Sequence, residues 1–186
     1  MEEGYLFNLV VGCPHDRERA AGAEVKYFIG DLLDDPQLVI NRVGVPGIVT
    51  CHTALDPFDV THRLRTLAKE NPYQFRYALR FTPIERCVPT SVDKIISAVE
   101  QVRHRIAADE SFRVTIRRRG IKFNTTQLID AVASLIPARV DLSEPDKHLW
   151  IEIVGDLTGV SVLSPLSDIF SAATLQMESD NRLSQV

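Results

Sequence analysis

Hydrophobic positions in the first half of the chain alternate between apolar runs, helical stripes and strand-like alternation, with turn residues at each change. Residues 5–11 read as a buried strand, which Gly12-Cys13-Pro14 ends. His15 and Asp16 open a helix with Asp16 as N-cap and Ala20, Val25, Phe28, Ile29 and Leu32 on its apolar face. Asp34-Asp35-Pro36 stops that helix, residues 37–42 make a short strand, and residues 44–53 make a turn and a further strand. A second helix has a sharper start: Asp56 is the N-cap, Pro57 holds the first helical position and Asp59 lies in the first turn. It runs through Val60, Leu64 and Leu67 to about Glu70, where Asn71-Pro72 ends it. Residues 73–83 then alternate as a strand, with Phe75, Tyr77, Leu79 and Phe81 on one face and Arg76, Ala78, Arg80 and Thr82 on the other.

The strand–helix–strand–strand–helix–strand order predicts a ferredoxin-like domain over residues 1–86. Residues 84–90 read as a connector, and a long helix follows its Ser91 cap, with Val92, Ile95, Ile96, Val99, Val102 and Ile106 at helical spacing. Phe112, Val114 and Ile116 alternate with Arg113, Thr115 and Arg117 as a half-buried strand. Asn124 and Gln127 have the spacing of a capping box, and Leu128, Ile129, Val132, Leu135 and Ile136 give the next helix its buried face before Pro137. Strands are expected at residues 139–142, 147–154 and 160–163, with turns at 143–146 and 155–159. The fold class is thus α+β, with a second, α/β domain over residues 87–172 and a polar, flexible tail over 173–186.

Composition changes the picture only through where the charge lies. The net charge is −4, yet residues 73–122 carry 11 basic and 5 acidic side chains, while 1–72 carry 7 and 11, and 123–186 carry 3 and 9. Polyanion binding follows local Lys and Arg density rather than the total, so the middle segment is the candidate surface. No apolar run is long enough to span a membrane, and the acidic start is unlike a signal peptide. The three cysteines, Cys13, Cys51 and Cys87, are widely spaced without a Cys-x-x-Cys pair, which fits free thiols in a reducing cytoplasm.

The densest charge is Arg117-Arg118-Arg119, followed by Gly120 and Lys122. A strand cannot bury three neighbouring guanidiniums without partners, so at least two must face water or an anion. Planar guanidinium donors suit phosphates, and Lys147 joins the group if its strand is a neighbour. Arg76, Arg80 and Arg86 extend the basic set; for Arg76 and Arg80, pairing with acids on neighbouring strands is the favoured reading over contact with an anionic ligand.

The segments Phe112-Arg-Val-Thr-Ile-Arg-Arg-Arg-Gly120, Val140-Asp-Leu-Ser-Glu-Pro-Asp146, Leu149-Trp-Ile-Glu-Ile153 and Gly159-Val-Ser-Val-Leu163 together resemble a THUMP domain. THUMP domains are RNA-binding modules of tRNA-modifying enzymes, and a ferredoxin-like domain commonly precedes them. The chain is most similar to the stand-alone THUMP proteins that assist a tRNA cytidine acetyltransferase. The resemblance implies a non-catalytic protein that holds the acceptor end of tRNA for a separate modifying enzyme, because no catalytic domain follows the THUMP-like part. From the residues themselves, no cofactor or metal is expected, and RNA contacts are expected through Arg117, Arg118, Arg119, Lys122, Lys147, Arg76, Arg80 and Arg86.

Two other readings stay open at this point. One is a small enzyme using Cys51, His52 or His62 with carboxylates, although adjacent strand residues such as Cys51 and His52 point to opposite faces. The other is a protein–protein adaptor whose arginines meet an acidic partner. The histidines lack partners at metal-ligand spacing, and no glycine-rich phosphate loop leads from a strand into a helix. Trp150 is expected in the core.

Overall fold

The computed structural model describes residues 6–120 and 122–183, and Tyr5, Ile121, the acidic start and the last three tail residues lie outside that range. The chain folds as two compact units. Among the described residues, the first takes 9–83 and 168–183, and the second takes 6–8, 84–120 and 122–167.

In the first unit the strands are β1 (Leu9–Gly12), β2 (Val39–Asn41), β3 (Ile48–His52), β4 (Arg80–Pro83) and β10 (Phe170–Ser171). They lie in the order β10-β4-β1-β3-β2, each antiparallel to its neighbour. Helices α1 (Glu18–Val25) and α2 (Pro57–Glu70) follow β1 and β3. Asp56 caps α2 as expected, its carboxylate accepting from the N–H groups of Phe58 and Asp59 at 2.8 and 3.0 Å. The helix after β1 starts at Glu18 rather than at Asp16, because Asp16 has φ +62° and so occupies a left-handed turn. Beyond Val25 the same helix widens into π-type turns over Lys26–Leu32. The core stacks Phe28 on Phe75, with ring centroids 4.1 Å apart, and Phe81 on Phe170 at 5.6 Å.

The strand expected over 73–83 is only β4, because Glu24 accepts from the N–H groups of Arg76, Tyr77 and Ala78 at 2.9–3.2 Å and pulls that backbone out of a ladder. Ala78 is as buried as Phe75, so the alternation fails. Residues 84–90 are not a connector: β5 (Arg86–Pro89) pairs antiparallel with β9 (Leu157–Leu163), so the second unit begins at residue 84. The polar tail is in fact α5 (Ala172–Leu183), where the Gln176 side-chain amide donates to the Pro72 and Phe75 carbonyls at 2.9 and 3.0 Å.

The second unit builds its sheet in the order β5-β9-β8-β6-β7, from β6 (Ser111–Arg119), β7 (Arg139–Val140), β8 (Lys147–Val154), β9 and β5. Strand β6 is parallel to β7 and to β8, and β8 and β9 form an antiparallel hairpin across Gly155 and Asp156. Helices α3 (Val92–Val102) and α4 (Thr125–Ala133) cover one face, where Ile95, Val99, Leu128 and Val132 meet Phe112, Leu149, Ile151 and Val160. Ser91 caps α3, but the Asn124 side chain makes no capping bond to α4, so the expected capping box is not formed. The strand expected at 139–142 shortens to β7, because the Asp141 carboxylate accepts from the N–H groups of Ser143 and Glu144 and turns the chain. Among the described residues no helix is long and apolar enough to cross a membrane.

Candidate nucleic-acid interface

Register decides which cations can act together. Along the parallel β6–β8 pair, Phe112 lies opposite Lys147 and Arg119 opposite Val154. The strands are neighbours, as joining Lys147 to the arginines requires, yet their parallel sense places Lys147 at the far end. Seven residues at a rise of about 3.3 Å put it roughly 23 Å along the strand from Arg119. There its Nζ donates to Ser164 Oγ at 2.8 Å and lies 3.9 Å from Glu110 Oε1. Lys147 therefore does not join the arginine run.

The run itself divides between the two faces of the sheet, since side chains alternate along a strand. Arg118 lies on the helix-covered side, where its Nη1 donates to the Phe123 carbonyl at 2.8 Å and leaves the side chain exposed beyond the sheet. Arg117 and Arg119 lie on the opposite face together with Arg113. The Arg117 guanidinium sits over the Trp150 ring, its Cζ 5.5 Å from the centroid, in cation–π geometry. The indole is only 3% exposed and its Nε1–H donates to Glu152 Oε2 at 2.9 Å. Glu152, also buried, lies 3.8 Å from Arg119 Nε. Arg119 is thus the arginine of the run that turns toward a carboxylate, while Arg117 and Arg118 stay exposed, as does Lys122 beyond them.

The other expected cations come from other elements. Arg86, at the opposite edge of the sheet on β5, donates from Nε to Gln101 Oε1 and from Nη1 to the Glu85 carbonyl, both at 2.8 Å. Arg76 and Arg80 belong to the first unit. They do not share a strand face: Arg76 precedes β4 and its guanidinium lies 5.6 Å from the Tyr77 centroid, whereas Arg80 begins β4 and is partly buried.

Two members of the site were missed in sequence. Arg113 shares the face of Arg117 and Arg119 at spacings of four and six, a signal already present in the alternation of β6. Glu152 shares the Trp150 face at a spacing of two, so the Trp-Ile-Glu segment carried that pairing. His148 lies on the same face, its Nδ1 3.0 Å from Thr115 Oγ1. Partial burial, and then the nearby Arg113 charge, push its pKa below the usual histidine value. The Asp146 carboxyl is held below its ordinary range by the Ser111 N–H and hydroxyl, both donating at 2.7 Å.

The Cys51 and His52 pair is not assembled. Cys51 is fully buried and desolvation raises its thiol pKa strongly, so it is held protonated, while His52 is exposed. His62 lies instead 3.5 Å from Asp168. Among the described residues no group of His, Cys, Asp and Glu is placed to hold a metal ion.

Residues 89–163 match the THUMP domain model, so the second unit contains a THUMP domain. An uncharacterized protein of Methanocaldococcus jannaschii, MJ0421, is 26% identical over 137 residues, and the match covers 71% of this chain but 35% of that protein. The chain thus spans about a third of the curated relative it matches. Among solved structures, PH1313 from Pyrococcus horikoshii Ot3 superposes with a TM-score of 0.66 at 15% identity, over 89% of this chain and 55% of that one. A 4-thiouridine synthetase in complex with RNA and ATP gives 0.57 at 13% identity, over 90% and 42%. TrmN from Thermus thermophilus gives 0.53 at 16%, over 83% and 44%.

Proposed function

We propose that this THUMP-domain protein binds tRNA, holds its acceptor end, and presents it to a separate tRNA-modifying enzyme without catalysing the modification itself. The observation that carries the reading is the grouping of Arg117, Arg118 and Lys122 as exposed cations at one end of β6 inside the THUMP domain. Guanidiniums there meet phosphates in bidentate fashion, and Trp150 holds one of them in place. Recognition runs through backbone and shape, as is usual for structured RNA. The solved structures of similar fold add support, since one of them was determined as a complex of a 4-thiouridine synthetase with RNA. The finer role is assistance to a tRNA cytidine acetyltransferase in the cytoplasm, a reading that rests on the sequence resemblance to the stand-alone THUMP adaptors. We also read the first unit as ferredoxin-like, a reading supported by its β4-β1-β3-β2 order with antiparallel neighbours.

A gel-shift titration of full-length protein with tRNA at rising salt tests this. With three to four phosphates neutralised, log affinity should fall by about 2 to 4 per decade of salt. Simultaneous Arg117→Ala, Arg118→Ala and Arg119→Ala changes should abolish the shift. No binding at low salt, or binding that the triple variant leaves intact, overturns the reading. For the partner, a pull-down of the acetyltransferase that survives nuclease treatment shows direct contact, and one that does not shows bridging by tRNA.

A further inference from the structure

Strand β6 is paired on both flanks only at its beginning. Strand β8 follows it from Phe112 to Arg119, whereas β7 meets it at Ser111 and Phe112 alone. Two bonds fix the direction of its backbone groups. The Asp141 N–H donates outward to the Phe112 carbonyl at 2.9 Å, and the Gly155 N–H donates to the Arg119 carbonyl at 3.2 Å on the β8 side. Because a strand's backbone groups alternate in direction, the N–H and C=O of Val114, Ile116 and Arg118 point away from β8. Among the described residues no strand pairs with them. Burial agrees: Leu149 and Ile151, the register partners of Val114 and Ile116, are fully buried, while Val114 and Ile116 are only partly so.

We propose that this open edge accepts an extended segment of a partner protein as an added strand, and that the segment alternates acidic with apolar residues. Side chains directly opposite on paired strands share a face. An incoming strand would therefore set one row of side chains against Arg113, Arg117 and Arg119 and the other row against Val114 and Ile116, with Arg118 at the end of that second row. Carboxylates suit the first row and aliphatic side chains the second, and the backbone supplies the affinity through alternating donors and acceptors. A second copy of this chain is the wrong occupant, because it would bring arginines opposite arginines. RNA is also a poorer match, since a phosphate uses the outward N–H groups and leaves the carbonyls unpaired. The inference goes beyond tRNA binding and does not depend on it, because tRNA needs the side chains of the run and not the β6 edge.

The test uses full-length, isotope-labelled protein and a blocked peptide of about ten residues alternating Glu and Val, with a control of the same composition in which the Glu residues form one block. The alternating peptide should slow exchange of the Val114, Ile116 and Arg118 amides, and bind at least about tenfold more tightly than the control. Ile116→Pro removes one outward donor at an edge position where proline is tolerated, so it should weaken the peptide about tenfold while tRNA affinity stays within about twofold. Equal binding of the control, no protection of the three amides, or protection by an RNA oligonucleotide but not by the peptide would overturn the proposal. If Ile116→Pro does not fold, amide exchange in the unaltered protein decides. Loss of tRNA binding with the peptide result intact would sink only the tRNA reading, and the converse would sink only this one.

Discussion

The guanidinium of Arg117 lies over the indole of Trp150, 5.5 Å from the ring centroid, and that indole is itself fixed by its Nε1–H bond to Glu152 at 2.9 Å. A residue with its side chain in the core thus sets the position of an exposed cation. Trp150→Leu should weaken tRNA binding about three- to tenfold by removing the platform. It should also cost about 1–3 kcal/mol of stability in chemical denaturation, through the lost volume. Trp150→Phe keeps a ring beneath Arg117 and should retain most of the affinity. Equal tRNA affinity in the Leu and Phe variants would show that Arg117 needs no platform.

Lys147 and Arg118 lie at opposite ends of the β6–β8 pair, and this separates their expected effects. Lys147→Ala should leave both tRNA affinity and its salt slope unchanged, because Lys147 is engaged with Ser164 away from the arginine run. Arg118→Ala should lower affinity and reduce the salt slope by about one contact. Titrations of both variants at several salt concentrations distinguish them, and a reduced slope for Lys147→Ala would move the binding surface.

His148 gives the fold an acid-side dependence. Its pKa is lowered in the folded state, by burial first and then by Arg113, so the unfolded chain binds the proton more readily. Stability is therefore greatest above the ordinary histidine value and declines as pH falls from there through the lowered folded value. Urea denaturation between pH 7.5 and pH 5 should show that decline, and His148→Gln should flatten it. An unchanged slope in the variant would assign the effect to another group.

Gly159 lies where β9 contacts both β8 and β5, opposite Glu152 and Cys87. A Cβ there would come within 2.9 Å of both Ile84 and Phe7 side chains. Gly159→Ala should therefore destabilise the second unit by about 1–3 kcal/mol through overpacking, read as a lower denaturation midpoint. A midpoint equal to that of the unaltered protein would mean that Ile84 and Phe7 repack freely.

Local rules read from sequence located most elements of both units. The Asp56-Pro57 start of α2, the Ser91 start of α3 and the alternation of β6 are each set by a cap or by side-chain period, which need no distant partner. Expectations failed where a distant group intervened. Glu24 takes the backbone donors of residues 76–78, and Gln176 ties the chain end to Pro72 and Phe75; neither is visible from neighbouring residues.

The candidate site divides the same way. By itself, the sequence determined that three arginines end a strand inside the one basic segment of an acidic chain, because charge density and period two are local properties. Only the tertiary structure decided which cations act together. The parallel sense of β6 and β8 carries Lys147 to the far end of the sheet, while cross-strand neighbours place Arg117 on Trp150 and turn Arg119 toward Glu152. Strand direction and register come from pairing between segments distant in sequence, so the pattern of any one strand does not contain them.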